Sequence, residues 1–425
     1  MKYYSLNGNA PAVDFAQATI AGIAPDKGLD FPETIPQIPS SFFSEIKSMS
    51  NADIALHVIE PYVGDSINKE TLYKIVSETI NFPIPLVDIN KDISSLELFH
   101  GPTLAFKDVG ARFMSRCLAE VIQKDKEIVV LVATSGDTGS AVADGFYNVP
   151  GVKVVILYPR GKVSKVQELQ LTTLGKNINA LEIQGNFDDC QSMVKKAFMD
   201  PDINKKIFLT SANSINIARW LPQQFYYFLA YKQWIKNETP VICVPSGNFG
   251  NLCAGVLAAC SGLPVNHFIA ACNANDAVYQ YFLNGQFHAK ETIATYSNAM
   301  DVGDPSNFLR LLTMMKDYEI SISADSISDD ETLECIRDVY QKYKYVLDPH
   351  GAVAYRALEK YFEINIGPGI ILETAHPVKF PDVVEKATGK NVDIPDQLRE
   401  MMLRKKESIV LTNNFDELRE YLLQM

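Results

Sequence analysis

No apolar run in this 425-residue sequence approaches the roughly 20 residues that a membrane-spanning helix needs, and its start, MKYYSLNGNAPAVDF, lacks a secretory hydrophobic core. A cytoplasmic protein without a membrane partner is expected. Positive charge is scarce: 39 Lys and Arg against 51 Asp and Glu leave a formal net charge of −12 and a pI of about 5.1. Nucleic acid and anionic lipid repel such a chain, so any anion it binds must be held by a local site. Cysteine pairing signals are missing as well. The seven cysteines form no C-x-x-C pair and sit mostly in apolar contexts, as Cys243, Cys260 and Cys272 do, which reads as reduced core thiols rather than disulfides or zinc ligands. His100, His350 and His376 also lack ligand spacing, so pocket or packing roles are expected of them and no metal.

What is present is a hydrophobic content of 47%, enough for a large core divided among two or three domains. From about residue 128, β-branched runs alternate with helical patterns: IVVLVA, VKVVILYP, INALEIQ, VICVP and GIILET, with helical segments between them. That alternation predicts α/β architecture, with parallel sheets and helices on both faces. A single long aromatic helix is expected over residues 217–235, and an amphipathic surface helix over 326–345. The stretch before about residue 93 is richer in proline and shows no βα alternation. It reads as a separate amino-terminal domain, residues 1–93, ahead of a 94–425 core.

Ligands of open α/β sheets bind beyond the carboxyl ends of the strands, where three polar turns fall: ATSGDTGS, PSGNFGN and ETAHPVKF. PSGNFGN follows an apolar strand and opens a helix, so its backbone N–H groups can converge on an anion. A tight turn without a ligand explains it equally well. In ATSGDTGS, capping accounts for one or two of the hydroxyls of Thr134, Ser135, Thr138 and Ser140, which leaves some for a small polar ligand. SANSINIAR gathers Asn213, Ser214 and Arg219, donors suited to a carboxylate or phosphate, although a helix cap with a surface arginine is the simpler reading of that stretch alone. Lys107, in HGPTLAFKD, follows a proline turn and lies between Phe106 and Val109. A lysine in such partly apolar surroundings has a lowered amine pKa suited to Schiff-base chemistry. Lysine, anion cup and a hydroxyl at the end of a late strand together match what pyridoxal 5′-phosphate needs for its aldehyde, phosphate and ring nitrogen.

ELFHGPTLAFKD, ATSGDTG, YPRGK, SANSIN, PSGNFGN and TAHPVKF, in this order, resemble the threonine synthases, pyridoxal phosphate enzymes of the tryptophan synthase β-like fold (fold type II). FAQATIAGIAPDKGLDFPETIP resembles the segment that the family carries ahead of its core. The resemblance implies two α/β subdomains with the active site between them. It implies that Lys107 is the Schiff-base lysine and moves protons at Cα and Cβ. Gly247, Asn248, Phe249, Gly250 and Asn251 would bind the cofactor phosphate, and Thr374 the pyridine nitrogen. Thr134, Ser135, Thr138, Asn213, Ser214 and Arg219 would hold the substrate. Asp137 departs from the wider fold family, where asparagine often faces the ring oxygen, so the resemblance gives it no role.

The implied reaction converts O-phospho-L-homoserine and water to L-threonine and phosphate by γ-elimination and β-hydration, in a monomer or homodimer. A phospho-lyase on the same scaffold, releasing 2-ketobutyrate, is the alternative. A cofactor-free binding protein is disfavoured by the joint presence of Lys107, the cup and Thr374.

Overall fold

The computed structural model describes residues 1–122 and 127–425 and contains three sheets. A small antiparallel sheet joins Val13–Asp14, Lys2–Ser5 and Asp30–Pro32 near the amino terminus. The second has six strands in the order Ile322–Ser326, His267–Cys272, Val241–Pro245, Gly369–Glu373, Ile93–Glu97 and Leu86–Asp88. All are parallel except the last. The third is fully parallel, in the order Ile409–Thr412, Ile178–Gln184, Val152–Pro159, Ile128–Ala133 and Phe208–Ser211. The chain enters the six-stranded sheet, leaves it to build most of the five-stranded one, returns, and finally sends Ile409–Thr412 back. Neither sheet is a contiguous piece of sequence.

Sequence explains the parallel geometry locally. Ile128–Ala133 is buried along its whole length, and Val152–Pro159 everywhere but at Lys153, as strands covered by helices on both faces must be. Several helices begin on side-chain caps. Ser164 with Gln167, Asn186 with Asp189 and Ser328 with Glu331 form capping boxes that satisfy otherwise orphaned N–H groups. The last of these starts the expected surface helix at Asp329–Tyr343, after residues up to Ser326 have completed a strand.

The aromatic helix expected over 217–235 is not continuous. It runs as Ile217–Trp220, a 3-10 turn Leu221–Gln223 and a helix Gln224–Gln233. Pro222 has no N–H to continue the α-ladder, so the α-helix gives way to the 3-10 turn just after Trp220. All seven cysteines are buried and none is bonded to another.

The main core ties the amino-terminal residues to both large sheets. Phe15 meets Phe113 edge-on at 6.4 Å, and Phe113 meets Phe225 at 6.2 Å. Phe113 lies on the helix Lys107–Val121, whose first residue is the lysine singled out above. The packing of the amino-terminal unit therefore bears directly on the helix that carries Lys107.

Candidate active site

Strand adjacency brings two of the three polar turns together beside the lysine turn. Because Gly369–Glu373 lies between Val241–Pro245 and Ile93–Glu97, the segments that leave these strands emerge side by side. Phe106 N–H donates to the Thr374 carbonyl at 2.9 Å and His376 N–H to that of Leu104 at 3.0 Å, which stitches the lysine turn to TAHPVKF. The third turn comes from the other sheet and is joined by an ion pair. Lys379 Nζ lies 2.7 Å from Asp137 Oδ1 and also donates to the Thr103 carbonyl at 2.9 Å. Gln167 Nε2 donates to the same Asp137 oxygen at 2.9 Å.

Lys107 is half-buried, its ammonium 5.2 Å from the Phe106 ring centroid, and among the described residues no carboxylate pairs with it. Burial lowers its pKa to about 8; Lys379 and Arg219 push the same way, while Asp137 opposes them. A lysine in this state supplies free amine near neutrality, as imine chemistry demands. Asp108, next in sequence, is buried and is bonded by the Thr103 hydroxyl and, at 3.0 Å, by the Thr103 N–H. Burial raises its carboxyl to about 7. Asp137 behaves oppositely: burial pushes its carboxyl up, but Lys379 and Lys107 prevail and hold it well below the usual range.

The cup is built by close approach. A Cβ on Gly247 would lie 2.6 Å from the Met300 Cα, and one on Gly250 3.1 Å from the Ser214 Cβ, so neither position has room for a side chain without movement. Phe249 adopts a left-handed conformation at φ 60°, which turns the strand abruptly into the helix Gly250–Cys260. Asn251 accepts from the Tyr227 hydroxyl at 2.8 Å, and its Nδ2 is buried without a partner. Thr374 is buried, and no described residue engages its hydroxyl.

The residues read as substrate ligands divide into two groups. Ser135 and Thr138 are half-buried on their turn, and no described residue bonds their hydroxyls. Thr134 is occupied differently, its Oγ1 accepting from Gly136 N–H at 2.9 Å and Gly139 N–H at 2.8 Å, while Ser140 Oγ donates to the Gly136 carbonyl. Capping therefore takes two of the four hydroxyls. Ser214 Oγ accepts from Asn248 Nδ2 and Asn307 Nδ2, both at 3.1 Å, and so sits in the framework of the cup. Arg219 is 4% exposed, not a surface residue. Its Nη1 donates to the Ala212 carbonyl at 2.7 Å, its Nε is buried without a partner, and among the described residues no carboxylate pairs with it. Burial lowers its pKa to about 10, which leaves it charged at pH 7. Asn213 Oδ1 is likewise buried and unpartnered.

The orphaned Asn251 Nδ2, the glycine-lined cup and the amine of Lys107 fit pyridoxal phosphate. Residues 89–371 match the family described as Pyridoxal-phosphate dependent enzyme, residues 2–80 Threonine synthase N terminus, and residues 351–422 Threonine synthase, C-terminal. The Escherichia coli K12 threonine synthase is 45% identical over 406 residues, 94% of each chain. The chain belongs to the threonine synthase family. It is a pyridoxal phosphate-dependent lyase of fold type II. The crystal structure of the E. coli threonine synthase superposes with a TM-score of 0.94 at 42% identity, covering 100% of both chains. The pyridoxal phosphate-bound threonine synthase of Brucella melitensis gives 0.93 at 35%, covering 100% of this chain and 99% of that one.

Sequence reasoning missed several residues around this site. Lys379 lay inside a quoted motif, yet its partner Asp137 is distant in sequence. Asp348 and Glu373, both fully buried, stand behind Thr374, the Asp348 N–H donating to Glu373 Oε1 at 2.6 Å. His350 donates or accepts at Asp348, His100 Nε2 lies 2.6 Å from Glu97 Oε2, and His376 Nδ1 accepts from the Val378 N–H at 3.1 Å. The three histidines thus serve pocket walls and turns. No helix among the described residues is long and apolar enough to cross a membrane.

Proposed function

We propose that the enzyme converts O-phospho-L-homoserine and water to L-threonine and phosphate, with Lys107 as its catalytic base. The observation that carries this reading is the charge arrangement. Asp137 is neutralised by Lys379, whereas Lys107 and the buried Arg219 beside its helix have no carboxylate partner among the described residues, and a dianionic substrate would complete that balance.

Pyridoxal phosphate, when bound, supplies an aldehyde for amine exchange and an electron sink for a carbanion at the substrate Cα. In this reading the chain's residues do the rest. Backbone N–H groups of Gly247, Asn248, Phe249, Gly250 and Asn251 receive the cofactor phosphate, and Thr374 offers the pyridine nitrogen a neutral hydroxyl. Lys107 takes the Cα proton and then one from Cβ as phosphate leaves Cγ, a proton is delivered to Cγ, and after water adds at Cβ Lys107 returns a proton to Cα. Arg219, with Asn213 and Thr138, grips the γ-phosphate until it leaves, and Ser135 receives the carboxylate. Ser214 and Thr134 shape these loops more than they contact substrate, since their hydroxyls are engaged within the protein. The same reading keeps residues 1–93 as an amino-terminal unit and 94–425 as the catalytic core, acting as a monomer or homodimer in the cytoplasm.

The test is product analysis with O-phospho-L-homoserine in H₂¹⁸O. Threonine with ¹⁸O at its hydroxyl, formed in step with phosphate, is expected. Phosphate released with 2-ketobutyrate and no threonine would overturn the hydration step.

A further inference from the structure

Arg310 lies in the first turn of the helix Phe308–Asp317, has no exposed surface, and is placed where the helix dipole disfavours a cation. No carboxylate bonds to it among the described residues. Its pKa is lowered to about 10 by burial. A buried charge in an unfavourable local position signals a demand from elsewhere in the fold.

The demand is visible in its partners. Nη1 donates to the Ser214 carbonyl at 3.1 Å and to Asn307 Oδ1 at 2.8 Å, and Nη2 to the carbonyls of Ile215 at 2.7 Å and Asp30 at 3.0 Å. The guanidinium carbon lies 4.1 Å from the Trp220 ring centroid. Asn307, held by that arginine and itself without exposed surface, passes its Nδ2 to Ser214 Oγ at 3.1 Å and to the Asn248 carbonyl at 3.0 Å. The chain of contacts therefore runs from the amino-terminal strand Asp30–Pro32, through Arg310 and Asn307, to the loop ahead of Arg219 and on to the cup. A second strut runs in parallel: Asn216 Nδ2 donates to the Thr19 carbonyl at 2.9 Å, again from the amino-terminal unit.

We propose that Arg310 is a positioning residue that locks the cup at 247–251 and the loop at 213–219 in register and anchors both on the amino-terminal unit, so that affinity for the two phosphates rises and falls together. The inference rests on the reading of residues 247–251 as the cofactor's phosphate cup. Lys107 is outside this chain of bonds, so the chemistry it performs should be touched less than binding.

The experiment compares Arg310→Met, which keeps side-chain bulk but removes the donors, with Asn307→Ala, which removes the bonds to Ser214 and to the cup while leaving the arginine's bonds to Asp30, Ser214 and Ile215, and with Gly247→Ala, whose added Cβ would press on Met300 and displace the cup backbone. Cofactor affinity is measured by titrating stripped enzyme with pyridoxal phosphate, and KM and kcat for O-phospho-L-homoserine are measured at saturating cofactor. Losing buried bonds from a charged donor should raise both the cofactor Kd and KM at least about tenfold in Arg310→Met. Asn307→Ala should raise the Kd in the same direction, with kcat within about threefold in both; it decides the matter if the arginine variant does not fold. A folded Arg310→Met or Asn307→Ala enzyme that melts earlier but keeps parental Kd and KM would overturn the proposal. If Gly247→Ala raises the Kd and the other two do not, Arg310 alone loses its role. If Gly247→Ala leaves the Kd unchanged, the cup reading fails first.

Discussion

Replacing Asp137 by asparagine should be among the costliest single-atom changes in the molecule. The Lys379–Asp137 pair spans 2.7 Å with side chains 0% and 3% exposed, and it joins the turn after Ile128–Ala133 to the segment after Gly369–Glu373, one from each large sheet. Asparagine keeps an oxygen for Lys379 and leaves Lys379's bond to the Thr103 carbonyl in place, so what is lost is charge, not shape. Breaking a pair this deeply buried by removing one partner costs about 3–5 kcal/mol. Glu60→Gln, which breaks an exposed pair with Lys69 of similar length, should cost about 1 kcal/mol or less and serves as the control. Urea midpoints read the difference, and Asp137→Asn/Lys379→Met should recover most of the loss, because Lys379 is then no longer a buried charge stripped of its partner. The pH dependence has a definite sign. A carboxyl held below its unfolded value contributes stability that is fully present above about pH 4 and lost as pH falls through the folded value. The deficit of Asp137→Asn should therefore be constant from pH 5 to 8 and shrink only in acid. Asp137 is also the leading charge that raises the Lys107 amine, so cofactor capture by stripped Asp137→Asn enzyme should extend to lower pH than in the parent. A cost equal to that of Glu60→Gln, with an unmoved capture profile, would refute the reasoning.

In the parent enzyme, the rate at which stripped protein captures pyridoxal phosphate should rise with pH to a half-maximum at about 8, followed by visible absorbance; a midpoint near the ordinary lysine value of 10.5 would contradict the burial of Lys107. Borohydride reduction and peptide mapping should place the label on Lys107, and Lys107→Ala should fold but carry no covalent cofactor. Arg219→Ala should lower kcat/KM for O-phospho-L-homoserine roughly 30-fold to several thousand-fold, the equivalent of about 2–5 kcal/mol, while a slow side reaction with L-serine loses little. Equal losses on both substrates would move the phosphate site elsewhere. Thr374→Val should reduce turnover more than cofactor occupancy, and full activity in whatever holoenzyme remained after a collapse of occupancy would argue against an electronic role.

The parts of this site that sequence made legible are those written in local chemistry. PSGNFGN declares its close backbone approach through small residues beside an apolar strand, and Lys107 stands out because a proline turn and an aromatic neighbour precede it. Pro222 carried an equally local signal, and it breaks the aromatic helix after Trp220 as proline should. What stayed hidden is nonlocal. Nothing in a string of hydroxyls says that Thr134 caps its own turn while Ser135 stays unengaged, and nothing in LRLLTMMKD separates Arg310 from the polar face of an ordinary helix. Asp137 and Lys379 are far apart in sequence, and the sheets that carry them interleave along the chain, so their pairing depends on strand order that no window of residues encodes.

In the proposed reading, placement of cations decides how an acidic chain would hold two phosphates without confusing them. A cup of backbone N–H groups and amides offers a fixed, neutral cradle, and no lysine or arginine lies within residues 245–251. Such a cradle suits a group that stays bound through many turnovers, because it needs no counter-ion to be rearranged. Arg219 is different: it is buried beside the helix that carries Lys107, its Nε unpartnered, and it lowers the Lys107 amine by its charge. A dianion arriving there would offset that charge and draw the lysine's pKa upward, so substrate binding would itself make Lys107 a better proton acceptor. On this argument the arginine both grips the leaving group and sets the basicity of the lysine, and the two phosphates stay distinct because only one of them is read by charge.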